Sequence, residues 1–298
     1  MPQANVNGIS IEYDVQGPDD GEPVLLIMGL GAQLVRWGPM FVEKLVARGV
    51  RAIRFDNRDV GLSQKFTDVP NIQDIFAALM RGEKPDAPYT LNDMAADAVG
   101  VLDHLGIERA HVVGASMGGM IAQLVAADYP ARVLSLTSIM STTGNPALPQ
   151  ATPEAQAVLF TPAPNWKTDE AAFLDYAVKT ARILGGPTYL IDEAFLHQRA
   201  LNAAKRSYDP TGVLRQIAAV AATGDRRGRL AEIKAPTLVI HGDADPLVRV
   251  EGGRDTAACI PGAELQIVPD MGHDIPPVLY DTIVDGICHS IARAKQMV

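Results

Sequence analysis

The chain has 298 residues, 47% of them hydrophobic and 20% charged, which suits one large α/β domain, or one domain with an insertion, and excludes a disordered chain. Its formal net charge of -9, with no Lys/Arg cluster, excludes nucleic acid as the expected partner. No run approaches the ~18 apolar residues that span a bilayer, and MPQANVNGIS has neither a basic nor an apolar signal region, so no membrane association and a cytoplasmic location are expected.

In chain order, Gln3 to Val15 reads as a hairpin, with Asn7-Gly8 as a type I′ turn between alternating apolar positions, at an antiparallel sheet edge. Val24 to Met28 is a continuous apolar run, the pattern of a central parallel strand, and it ends in the loop Gly29-Leu30-Gly31. A helix over Phe41 to Arg48 and a strand over Val50 to Phe55 begin the βαβ alternation. That strand runs into Asp56-Asn57-Arg58-Asp59. Helices follow over Ile72 to Arg81 and Leu91 to Leu105, separated by a loop with Gly82, Pro85 and Pro88.

Ala110 to Val113 is a short apolar strand and Met117 to Ala127 a helix, so GASMG (114–118) sits on a strand-to-helix turn with Ser116 at its centre. Such a turn strains the serine and admits only small neighbours, which accounts for Gly114 and Gly118. The residue after the serine presents a backbone N–H and the positive helix end to any oxyanion formed there. A chance GxSxG would lack that strand and helix.

Val133 to Met140 reads as another strand. From Asn145 to Pro164, prolines at 146, 149, 153, 162 and 164 exclude regular helix or central strand. This segment reads as the entry to an inserted lid over residues 145–224, with helices over Thr168 to Leu184, Thr188 to Arg206 and Thr211 to Thr223. The α/β core is then 1–144 and 225–298. The sheet resumes at Thr237 to Ile240, before His241-Gly242-Asp243-Ala244-Asp245-Pro246, and at Glu264 to Val268, before Pro269-Asp270-Met271-Gly272-His273-Asp274. A helix over Asp281 to Lys295 closes the chain.

A serine hydroxyl is a poor nucleophile at neutral pH and needs a base together with a third group that fixes the base's tautomer. His273 and an aspartate, Asp245 or its neighbour Asp243, lie in loops after predicted strands, at the sheet edge that carries Ser116. His241 ends a strand and reads as a structural hydrogen-bonder. His104, His111, His197 and His289 share no metal-type spacing, and Cys259 and Cys288 no CxxC, so neither metal nor disulfide is expected. Asp56 and Arg58 read as structural, paired with each other or with loop backbone. Trp37, Phe160, Trp166 and Tyr189 read as packing beside a lid.

Through GASMG, HGDADP, MGHDIP and RFDNRDVGLS, and over nearly its whole length, the chain resembles the α/β-hydrolase superfamily. Within it the chain looks most like the aclacinomycin methylesterase and cofactor-free haloperoxidase group of carboxylic-ester hydrolases. The resemblance implies a mostly parallel sheet with helices on both faces. It also implies Ser116 as nucleophile, His273 as general base and then acid, Asp245 as orienting carboxylate, and the backbone N–H groups of Leu30 and Met117 as the oxyanion hole. No cofactor or metal is implied. Two positions depart from the family: Met28-Gly29 stands where many relatives have His-Gly, removing a side chain that often buttresses the loop, and Asp59 replaces a frequent glycine.

The expected activity is ester hydrolysis through an acyl-enzyme. The Ala/Leu/Phe content of the lid points to small or medium hydrophobic ester substrates. C–C hydrolysis, perhydrolysis with haloperoxidase activity, amide or lactone hydrolysis, a ligand-binding protein without turnover, and a homo-oligomer all stay open.

Overall fold

The computed structural model describes residues 2–296. The hairpin forms as expected: β1 (Gln3–Val6) pairs antiparallel with β2 (Ile9–Gln16), and Asn7 and Gly8 both have positive φ, 48° and 76°, as a type I′ turn requires. β3 (Glu22–Ile27), α1 (Pro39–Val46) and β4 (Val50–Phe55) follow, then α2 (Ile72–Met80), α3 (Leu91–His104), β5 (Ala110–Ala115), α4 (Met117–Asp128) and β6 (Val133–Ile139).

Between β6 and the next strand lie α5 (Pro153–Phe160), α6 (Glu170–Leu184), α7 (Glu193–Arg206), α8 (Gly212–Thr223) and α9 (Arg227–Leu230). The chain ends with β7 (Thr237–Gly242), α10 (Val250–Cys259), β8 (Glu264–Val268) and α11 (Tyr280–Gln296).

The eight strands form one sheet in the order β1-β2-β4-β3-β5-β6-β7-β8. β2 pairs antiparallel with β4, and all pairings from β4 to β8 are parallel. The central strands are buried on both faces, which is why they read as unbroken apolar runs. Leu25, Ile27 and Val112 turn to one core with α3 and α4, while Val24, Leu26 and Val113 turn to the other with Phe41 and Leu45 of α1 and Ile283 and Ile287 of α11. Two apolar layers thus fix the height of the sheet edge that carries the site.

One expectation changes, and helices also form where none was expected. The proline-rich stretch contains a helix, α5, because Pro153 occupies the first helical turn, where a missing N–H removes no bond. Thr152 caps it, accepting from the Ala155 N–H at 3.3 Å. One of the helices not expected is α10, whose Gly252 and Gly253 lower its helix propensity. A Cβ on Gly253 would lie 2.5 Å from the His241 ring, so close packing of α10 on β7 requires the glycine.

Candidate active site

Ser116 stands between β5 and α4 with φ 56° and ψ −123°, a conformation that L-residues rarely adopt. The surroundings hold it there. Its N–H donates to the Ile139 carbonyl at 2.9 Å, and its carbonyl accepts from Ser141 Oγ at 2.8 Å. A Cβ on Gly114 would collide with the Gly118 carbonyl, and one on Gly118 with the Ile27 carbonyl. Gly118→Ala is therefore expected to cost about 3 kcal/mol or more, or to prevent folding. Gly228→Ala, where a Cβ meets nothing within 4 Å, should leave the thermal midpoint within about a degree or two of wild type.

Asp245 follows β7 and is 1% exposed. Its Oδ1 accepts from the N–H groups of Leu247 and Val248, both at 2.9 Å, and its Oδ2 lies 2.7 Å from His273 Nδ1. His273 follows β8, and its Nε2 lies 2.9 Å from Ser116 Oγ. Three loops thus bring together the three side chains expected from the sequence.

Burial alone would raise the pKa of Asp245. The charge and the hydrogen bond of His273, with His241 close by, outweigh it and hold the pKa down to about 2. An ionised carboxylate only accepts, so Nδ1 of His273 carries the proton and Nε2 is free to accept from the Ser116 hydroxyl. A pKa lowered by folding contributes stability that is complete above the unfolded value and lost as pH falls through the folded value, here from about 4 to about 2. Urea titrations over that range should show wild type losing more stability than Asp245→Asn, by up to about 2 kcal/mol.

Asp243 does not reach the histidine. Its Oδ1 accepts from the Asp270 N–H at 2.7 Å and so ties the loop after β7 to the one after β8. His241 is structural in its geometry, with Nε2 2.8 Å from the Val248 carbonyl and 3.6 Å from Asp245. The His273 N–H donates to the Leu184 carbonyl at the end of α6 at 2.7 Å. Asp274 is bracketed by Arg36 at 2.8 Å and Arg199 at 3.2 Å. Burial raises its pKa, but the two guanidiniums more than offset this and keep the carboxyl below the usual carboxylate range.

The backbone N–H of Met117 opens α4, where the helix has no acceptor for it. Leu30 lies in the turn after β3. A Cβ on Gly29 would be 3.0 Å from Ser116 Cβ and 3.5 Å from its Oγ, so this turn abuts the serine. The buttress expected to be missing beside Met28 comes from other residues. Asn57 Nδ2 donates to the Met28 carbonyl at 2.8 Å, Gln216 Oε1 accepts from the Gly31 N–H at 2.8 Å, and Asp56 Oδ1 accepts from the Leu34 N–H at 2.7 Å.

Asp56 and Arg58 do not pair with each other. Asp56 pairs with Arg206 of α7 at 2.6 Å, and Arg58 pairs bidentately with the buried Asp97 at 2.6 and 2.7 Å. Asp59 has φ 69°, the left-handed region where glycine is frequent, and is held there by Tyr89 at 2.6 Å and Arg215 at 2.9 Å. Trp37 packs on Phe41 at a ring separation of 5.2 Å, whereas Tyr189 lines a cleft with Gly272, Asp274 and Pro276. Among the described residues no group of three or more His, Cys, Asp or Glu could hold a metal ion, and no helix is long and apolar enough to cross a membrane.

Residues 22–277 match the family described as alpha/beta hydrolase fold, and the chain belongs to that family. It is similar to the rhodomycin D methylesterase DnrP of Streptomyces peucetius, 31% identical over 288 residues, with 89% of each chain covered. It is also similar to a 2-hydroxy-6-oxononadienedioate/2-hydroxy-6-oxononatrienedioate hydrolase of Klebsiella pneumoniae, 26% identical over 297 residues, covering 96% of this chain and 93% of that one. Among solved structures, the enol-lactonase of Burkholderia xenovorans LB400 shares the fold with a TM-score of 0.72 and 22% identity, over 98% of this chain and 100% of that one. The resemblance to the methylesterase group read from the sequence is thereby shown.

Proposed function

We propose that this chain is a serine hydrolase that cleaves carboxylic esters of small to medium hydrophobic substrates through an acyl-enzyme. Ester hydrolysis is supported by the family and by the methylesterase relative. The serine mechanism rests above all on the 2.9 Å and 2.7 Å distances that join Ser116, His273 and Asp245.

In this reading His273 Nε2 takes the proton of Ser116 as Oγ attacks the ester carbonyl, and Asp245 stabilises the imidazolium that forms. The carbonyl oxygen becomes an oxyanion that accepts from the N–H groups of Leu30 and Met117. Collapse expels the alcohol, which takes the proton from His273. Water then enters, His273 removes its proton, and the same steps in reverse order release the acid and restore the serine hydroxyl. Residues 145–224 act as the lid, the substrate is the only partner the reading requires, and the cytoplasm is its proposed location.

Initial rates on p-nitrophenyl esters of increasing acyl length test the reading: turnover should rise to an optimum at a short or medium chain. Ligand binding without turnover across the series would instead mark a binding protein on this fold. The Klebsiella relative supports a second reading on the same three residues, hydrolysis of a C–C bond in a vinylogous diketone. A dienoic diketone consumed much faster than the best ester would put that reading first.

A further inference from the structure

Gln216 lies on α8 and is wholly buried. Its amide is used at both ends: Oε1 accepts from the Gly31 N–H at 2.8 Å, 185 positions away in the chain, and Nε2 donates to the Arg58 carbonyl at 2.9 Å. Two long-range backbone groups, each in a loop at the carboxyl edge of the sheet, meet on this one side chain. The catalytic steps derived above do not use it.

What Gln216 grips is the turn that carries Leu30. The turn is closed by the Ala32 N–H donating to the Gly29 carbonyl at 3.2 Å, and its third residue, Gly31, has φ 64°. Positive φ at that place belongs to a type II turn; a type I turn has the central peptide turned over. In the turned-over form the Gly31 N–H no longer points at Gln216, so the hydrogen bond selects one of two turn forms; the Leu30 N–H, in the preceding peptide, keeps its direction in both, and what the bond gives it is a fixed position of the turn. The Gly29–Leu30 peptide is trans. With its carbonyl committed to Ala32, its N–H, that of Leu30, points the opposite way.

We infer that Gln216 is a positioning residue for the oxyanion hole, anchoring the Gly29–Ala32 turn to α8 and to the Arg58 loop so that the Leu30 N–H is held in place beside the reacting carbonyl. The inference rests on the reading of Ser116 and Leu30 given under Proposed function. The donor is a backbone group that no side-chain substitution removes, so its position is set by what holds the turn. Oxyanion donors act because they are aimed before charge develops, and a displacement of about 1 Å can cost about a hundredfold in rate. A residue that holds such a donor in place lowers kcat when altered and leaves ground-state binding largely intact.

Gln216→Met keeps the length of the side chain and leaves both the Gly31 N–H and the Arg58 carbonyl without it; Gln216→Glu keeps an acceptor for Gly31 and loses the donor to Arg58. Both are compared with wild type and Ser116→Ala for kcat and KM on p-nitrophenyl butyrate, with rates taken per site titrated by a fluorophosphonate and below every thermal midpoint. Affinity for phenylboronic acid, which binds as a tetrahedral serine adduct, is measured beside affinity for butyrate. For Gln216→Met, kcat should fall about tenfold or more with KM within about threefold, boronate affinity should fall in parallel, and butyrate affinity should hold. Gln216→Glu should recover most of the loss.

A Gln216→Met enzyme with wild-type kcat per titrated site, a loss carried by KM, or a Gln216→Glu enzyme no better than the Met variant would overturn the inference. If Gln216→Met does not fold, Gln216→Asn, too short to reach Gly31, is held to the same outcomes. Turnover by Ser116→Ala would instead bring down the functional reading itself. An inactive Ser116→Ala beside a fully active Gln216→Met would sink only the role of Gln216.

Discussion

Ester turnover by Ser116→Ala should fall about 10⁴-fold or more, with the thermal midpoint within a few degrees of wild type. The loss is large because Oγ supplies the bond-forming electron pair, and no other described side chain hydrogen-bonds to His273 Nε2. Whatever rate remains comes from binding and from the Leu30 and Met117 donors acting on attack by water. Stability changes little because the fold holds this residue through its backbone: the Ile139 carbonyl and Ser141 Oγ bind main-chain atoms of residue 116, and alanine keeps both bonds. Steady-state kinetics on a p-nitrophenyl ester together with a thermal melt measure the two effects. Residual activity above a tenth of wild type would remove Ser116 from the mechanism.

Asp245→Asn should lower kcat by about 10³–10⁴-fold with a much smaller change in KM. The carboxylate accepts from His273 Nδ1, from the N–H groups of Leu247 and Val248, and lies near His241. An amide at the same place can turn its NH₂ toward His273 and donate. Nδ1 would then be the unprotonated nitrogen, Nε2 would carry the proton, and the serine hydroxyl would face a donor in place of its base. The ring also loses the negative charge that stabilises it once protonated. Asp243→Asn is the control, since Asp243 binds the Asp270 N–H and not His273; its kcat should stay within about tenfold of wild type. Equal losses in the two variants would mean that the orienting acid has been assigned to the wrong residue.

The elbow is legible from five residues and the strand and helix that flank them because its constraint is local: a strained serine needs small neighbours two positions to either side, and Gly114 and Gly118 meet backbone carbonyls where a side chain would be. The strands are legible because burial on both faces leaves continuous apolar runs, as at Leu25 to Ile27. Asp245 and His273 can be placed because each falls directly after such a run; position alone leaves Asp243 as a rival, the family resemblance favours Asp245, and the fold sends Asp245 to His273 and Asp243 to Asp270. The hairpin at Asn7-Gly8 is legible for a similar reason, since the residues that accept positive φ are few.

What escapes the sequence is non-local or a matter of position within an element. Gln216 and Gly31 are 185 residues apart and Arg58 and Asp97 are 39 apart, and neither pair falls in a motif or a periodic pattern. The proline count across 145–164 argues against helix, but a proline's effect depends on where in a turn it falls, and Pro153 falls at the start. In α10 the glycines that weaken the helical signal are there for contact with β7, which a single stretch of sequence cannot show. The family's usual buttress beside the β3 loop is missing from the sequence, yet its work is divided among Asn57, Asp56 and Gln216.

Ser116 as a nucleophile activated by His273 and Asp245 is tested most directly by intact mass spectrometry after incubation with a fluorophosphonate. One adduct per chain is expected on wild type, located on the peptide that contains Ser116, with none on Ser116→Ala and much slower labelling of His273→Ala. An unmodified wild-type chain that is folded, or an adduct that persists on Ser116→Ala, would contradict that role.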